Sequence, residues 1–222
     1  MNKVVLNKGS ARMFENPLLE RLSHVHPVTP LVLYAPIILA CLFVSALYFD
    51  LSLGRIAVAV VLGYFGWTLL EYWLHRLLFH LPVRGELTKK IYFFVHGVHH
   101  DWPWDTSRLV LPPALSLTLA VLFYSLFRAT LPGGEAHAAF GGLLSGYLVY
   151  DMLHWYSHVG APQNRLLKHL RKEHMIHHFK EPKSRFGVSC PWWDWVFRTT
   201  GKAQKTAVAS PTEDQGHKGA AA

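Results

Sequence analysis

Only two cysteines, Cys41 and Cys190, occur in 222 residues. Cys41 lies inside a long apolar stretch, so no disulfide framework is available to the fold. Acidic residues are also scarce: 14 Asp and Glu stand against 22 Lys and Arg, for a net charge of +8. The basic residues carry no DNA- or RNA-binding motif around them, which excludes nucleic acid as their explanation. No cleavable signal peptide is expected, because about thirty mostly polar residues precede the first apolar stretch.

Charge is missing from long segments as well. Residues 31–49 and 109–127 contain none, 56–74 are broken only by Glu71, and 136–156 only by Asp151. About 20 apolar residues cross a bilayer core as a helix, so these four segments are the expected transmembrane helices of an all-α membrane protein. Four such helices buried in a soluble domain of this size leave too little polar surface to cover them. Residues 1–30 hold four basic residues, 75–110 five and 158–222 eleven, whereas Arg55 and Arg128 stand alone in the other two connections. The cytoplasmic excess of Lys and Arg sets orientation, so both termini and the middle loop are expected on the cytoplasmic side. The segment 131–134 (Leu-Pro-Gly-Gly) reads as a turn joining the last two spans as an antiparallel hairpin. Residues 201–222, small, polar and without aromatics, read as a disordered tail. Trp102, Trp104, Trp192, Trp193 and Trp195 fit an interfacial aromatic belt.

What the chain has in abundance is histidine, fifteen in all. Ten fall into four clusters: His75 and His80; His96, His99 and His100; His154 and His158; His174, His177 and His178. Neutral imidazole is the commonest metal ligand. The step from His80 to His96 is sixteen residues, as is that from His158 to His174, so each half of the chain presents five imidazoles in one pattern. Ten nitrogens are too many for one ion and suit two. The predicted topology puts all four clusters on one side. Residues three and four apart share a helix face, so each H-x-x-H-H trio is expected to point together. His75 and His80, five apart, converge only if the helix unwinds between them, since a regular helix turns them about 140° apart. Glu71 and Asp151 lie one helical turn before His75 and His154; such carboxylates orient ligating imidazoles by accepting the other ring N–H. His24, His26, His137, His169 and His217 lack partner spacing and read as surface residues.

The segments EYWLHRLLFHL (71–81), HGVHHDWPWDTSRLVLPP (96–113), YDMLHWYSH (150–158), HMIHH (174–178) and RFGVSCPWWDWVF (185–197) resemble the fatty acid hydroxylase superfamily. They are most similar to the sphingolipid-type fatty acid 2-hydroxylases, in order and in spacing. The resemblance implies four transmembrane helices under a cytoplasmic helical cap, in which all ten clustered histidines ligate a dimetal centre. It departs in two places. Val159 follows His158 where the family often has a further histidine, and only some thirty polar residues stand where eukaryotic members often carry a cytochrome b5 domain. A separate cytochrome b5-like or ferredoxin-like electron donor is therefore expected.

Ligand type alone leaves zinc, copper, iron and nickel open. Hydroxylation of an unactivated C–H bond needs an O₂-activating redox centre. Iron is thus expected in the working enzyme, with O₂ as co-substrate, while zinc, which is redox-inert, fits the same ligands. The implied substrate is a membrane lipid or fatty acyl chain hydroxylated at its 2-position, with Asp105 and Arg108 as candidates for its head group or else a simple salt bridge. The expected organisation is a cytoplasmic segment 1–30, a hydroxylase domain 31–200 and the tail 201–222. Two alternatives remain: a desaturase or a sterol or carotenoid oxidase of the same superfamily, and a membrane metal-binding or transport protein without catalysis. Transport places ligands near the bilayer midplane, whereas these lie at one face; desaturases usually show three histidine clusters, not four.

Overall fold

A computed structural model describes residues 9–201; the expected tail beyond Gly201 and His217 within it lie outside the described residues. Among these residues there are helices and no strands. Helix α1 (Pro17–Ser23) is short, opened by Asn16, whose side chain accepts from the Leu18 and Leu19 amides, and by Pro17 at its first position. Helix α2 (Thr29–Phe43) runs on through a widened turn to Tyr48. Helix α3 (Leu53–Trp73) likewise widens over Leu74–Phe79. Short helices α4 (Glu86–Tyr92) and α5 (Val98–Asp101) follow, then α6 (Pro113–Thr130), α7 (Gly133–Val159), α8 (Arg165–Phe179) and α9 (Trp192–Val196).

Three segments are long and apolar enough to cross a membrane: Thr29–Tyr48, Leu53–Phe79 and Thr106–Thr130. Each leaves a wide apolar face outward, with Val32, Leu39, Val58, Leu62, Val121 and Leu122 among the exposed side chains. The fourth expected span falls in α7, which at 27 residues is long enough, about 40 Å, but differs in character. It is the central helix, packed against α2, α3 and α6, and is rich in glycine, alanine and polar residues, most of them buried.

The tightest contact explains those small residues. A methyl group on Gly63 of α3 would overlap the Ala139 carbonyl of α7, and one on Gly142 would overlap that of Val60. Only glycine lets the two backbones approach this closely. Gly133 and Gly134 are part of α7 itself, so the connection between α6 and α7 is shorter than the four-residue turn expected; Phe49 packs where their side chains would be. The residues before α2 are not a free leader. Arg108, with a side chain 3% exposed, meets Glu20 at 2.7 Å and Asp105 at 3.3 Å, and donates to the Ala11 carbonyl and the Ser23 hydroxyl. Residues 10–24 are thereby strapped to the turn at Ser107–Arg108 that precedes α6.

Candidate metal centre and apolar cavity

All ten clustered histidines come together in two groups. His75, His80, His96, His100 and His177 form one, and His99, His154, His158, His174 and His178 the other; within each, one nitrogen per residue lies within 4.8 Å of all the rest. Eight are buried; His80 and His100 are half-buried. His24 and His26 are exposed, His169 is 58% exposed beside Glu173, and His137 bonds Tyr124 and the Gly133 carbonyl, all away from the groups.

The widened turn at the end of α3 is what unites His75 and His80. The His80 amide donates to the His75 carbonyl at 3.0 Å, five residues back, so an extra residue enters the turn and the rings swing onto one face, with centroids 5.0 Å apart. Each trio, by contrast, is split. His96 and His100 join the first group while His99 joins the second; His174 and His178 join the second while His177 joins the first. On an α-helix the i+4 residue lies about 40° to one side of residue i and the i+3 residue about 60° to the other. With a site on each flank, the middle histidine is the one that crosses over. Each half of the chain thus gives four imidazoles to one group and one to the other. His100 and His178 stack with centroids 4.2 Å apart where the groups adjoin.

The protonation of three rings follows from their partners. Nδ1 of His75 lies 2.6 Å from the Phe186 carbonyl, that of His177 2.6 Å from Ser184, and that of His154 2.9 Å from Leu109. A carbonyl only accepts, so each Nδ1 carries the hydrogen and each Nε2 presents a lone pair. These lone pairs face other histidine nitrogens: His96 at 3.2 Å, His80 at 3.0 Å and His99 at 2.9 Å, respectively. Two ligands at right angles, each about 2.1 Å from one ion, lie about 3 Å apart. The donor set therefore fits a borderline divalent metal in each group. Burial, reinforced by neighbouring imidazoles, holds His80 down to about 2, and burial holds His177 down to about 4; both rings are neutral and able to coordinate.

Neither carboxylate reaches a histidine, contrary to expectation. Glu71 turns instead to the chain before α9 and accepts from the amides of Val188 and Ser189 and from the Ser189 hydroxyl. Asp151 lies against the Leu111 backbone amide. The two arrangements correspond: each carboxylate holds a backbone amide two residues beyond the carbonyl that orients the first histidine of its half. Asp194, which the sequence reading passed over, completes the first clamp by accepting from the amides of Phe186 and Gly187, both at 2.8 Å. Backbone carbonyls carry no side-chain signature, so only the aspartate was available to sequence reasoning.

A cavity of about 260 Å³ opens against the groups, reaching His96, His99 and His154. Its walls are mainly apolar, from Leu19 and Leu22 of α1 to Leu74, Leu111 and Leu119. Three polar groups reach this wall: Trp67 Nε1, which has no protein partner, and the Tyr147 hydroxyl and Asp151 carboxyl, which lie against each other. Trp67 and Tyr147 stand in apolar stretches with no spacing or motif that marks them in the sequence. Arg108 also borders the cavity, but its donors are occupied by the strap; Asp105 is buried, accepts from Ser107 and pairs with Arg108 at 3.3 Å. Of the five tryptophans, Trp104, Trp192 and Trp195 are exposed, whereas Trp102 is half-buried and Trp193 is anchored by a hydrogen bond to Thr68.

Comparison with known proteins follows the same residues. The family model described as fatty acid hydroxylase matches residues 60–199. A dihydroceramide fatty acyl 2-hydroxylase of Arabidopsis thaliana is 36% identical over 188 residues, 85% of this chain and 79% of that one. A fatty acid 2-hydroxylase of Rattus norvegicus is 42% identical over 142 residues, 63% of this chain and 38% of the longer rat protein. The solved structure of full-length scs7p, in which only the hydroxylase domain is visible, superposes with a TM-score of 0.81 at 36% identity, covering 87% of this chain and 73% of that one.

Proposed function

Since the chain belongs to the fatty acid hydroxylase family, we propose that it is a membrane enzyme that hydroxylates the 2-position of an amide-linked acyl chain at a dimetal centre. The observation that carries this reading is the apolar cavity ending on His96, His99 and His154. An acyl chain needs a dry, apolar slot, and this one combines mainly apolar walls with three imidazoles. Trp67 and Tyr147 would donate to the carbonyl of the substrate amide, and the Asp151 carboxylate would accept its N–H. Held there, the carbon next to the carbonyl would come near His154, which lies one helical turn from Asp151 on α7.

The ten histidines would hold two ions, one per group, and Glu71 and Asp151 would keep His75 and His154 aimed by fixing the chain segments whose carbonyls they use. Non-haem iron bound there supplies the oxygen-activating chemistry, whereas zinc, being redox-inert, gives a stable but idle protein. A donor protein would supply electrons. The exposed apolar faces of the three long helices, with α7 as the fourth, would lie in the bilayer, and the short helices would form a cap on the cytoplasmic side, as the basic residues there require.

The test is lipid mass spectrometry of cells lacking 2-hydroxylated sphingolipids, with and without this chain. Appearance of 2-hydroxy acyl amides is the expected result. A new double bond, or no change with well-expressed protein, overturns the reading.

A further inference from the structure

One face of α8 is used by the histidines; the opposite face is not. Lys168, Arg171, Lys172, Met175, Ile176, Phe179 and Lys180 line an open groove of about 610 Å³ there. Its rim is cationic, with Lys168, Lys172 and Lys180 exposed. Among the described residues these lysines make no ion pair, and the nearby carboxylates of Glu173 and Glu181 are bound to Arg185. Its floor is apolar. A cationic rim around an apolar patch is the anatomy of a protein interface, here one that complements negative charge.

The groove also lies one residue layer from the second group of histidines. Phe179 lines it, its ring centroid 5.8 Å from that of His178. The same ring stacks on Trp104 at 5.9 Å, and Trp104 stands 6.1 Å from His158. Two aromatic side chains thus span from the groove to two histidines of that group.

We propose that this outer face of α8 is the docking surface for an acidic one-electron carrier protein, with entry to the centre through Phe179 and His178. The inference rests on the hydroxylase reading above. In that reaction O₂ is split: one oxygen atom enters the C–H bond, and the other leaves as water with two protons. The balance needs two electrons from outside, and therefore two deliveries by a one-electron carrier per turnover.

The test uses the full chain in neutral phosphatidylcholine nanodiscs and the soluble, acidic haem domain of a cytochrome b5 as the probe. Equilibrium binding of the probe to zinc-loaded protein is measured beside turnover of iron-loaded protein. In the double variant Lys168→Glu/Lys172→Glu, probe binding should weaken and the KM for the probe should rise, each by about tenfold or more. Wild-type binding should fall as salt is raised through the Debye-screening range. Turnover driven by dithionite with methyl viologen, which needs no docking, should be unchanged.

Unaltered probe binding in the double variant overturns the proposal. So does a variant that keeps its KM for the probe but loses association with phosphatidylserine vesicles, which would make α8 a lipid-facing surface. A wild type that binds the probe in a charge-dependent way yet forms no product with either reductant counts against the hydroxylase reading, not against the docking surface.

Discussion

His177 and His178 are adjacent in the chain, yet their rings stand at 90° to one another with centroids 5.7 Å apart, and each belongs to a different histidine group. One peptide bond therefore ties the two centres. A ring displaced in one group pulls directly on the other, and the same holds for His99 and His100.

The first prediction uses that exchange. His177→Ala should remove one nitrogen from the group of His75, and His99→Ala or His154→Ala one from the other. Elemental analysis should show the metal content falling from about two ions per chain towards one, with loss of hydroxylated lipid. His24→Ala, His137→Ala and His217→Ala should leave both unchanged. Full activity in well-expressed His177→Ala protein would remove the histidines from the chemistry.

Glu71→Gln and Asp151→Asn act one step further out. Each loosens a backbone segment rather than a ligand, so metal affinity should fall by about 10–100-fold, the usual range for lost outer partners. Metal competition titrations should show the larger loss at one ion in each variant, that of His75's group for Glu71→Gln and that of His154's group for Asp151→Asn.

Acid should empty the site. His177 has its ordinary pKa of about 6.5 in the unfolded chain and about 4 when folded. Above pH 6.5 both states are neutral, and the site is at full strength. As pH falls from about 6.5 towards 4 the unfolded chain gains protons that the folded one does not, so stability is lost over that window. Protons compete with the metal in the same direction. Thermal midpoint and bound metal should decline together between pH 6.5 and 4; a midpoint flat across that range would contradict the buried neutral rings.

How much of this was readable in advance differs by level. The long apolar segments and the spacing of the histidines located the helices and all ten clustered rings, because both signals are local. The assignment of His99 and His177 to opposite groups was not readable, since it depends on which flank of a helix each centre occupies. Nor was the strap: Arg108 and Glu20 are 88 residues apart.

That strap gives a further prediction. Arg108→Met leaves Glu20 and Asp105 without their shared cation in a largely buried site, at a cost of about 3–5 kcal/mol. Residues 10–24 should then come away, and trypsin should cut after Arg12 and Arg21 well before the rest of the chain. Unchanged cleavage would show that the strap is held otherwise.

Topology is tested with single cysteines in a protein whose Cys41 and Cys190 are replaced by alanine. Leu131→Cys, at the exposed link between α6 and α7, should react with an impermeant thiol reagent applied to intact cells; Gly85→Cys, equally exposed before α4, should not. The reverse pattern would turn the molecule over in the membrane.

The glycine crossing sets the scale of the whole centre. Gly63 precedes His75 by twelve residues, and Gly142 precedes His154 by twelve, so each histidine sits about 18 Å along its helix from the pivot. The two helices stay in close contact over several turns, from Gly63 against Ala139 to Gly146 against Trp67. A single methyl group at Gly63 or Gly142 would force the two backbones apart and carry His75 and His154 with them, far from the substitution. The distance between the two centres is therefore written into residues that touch neither of them.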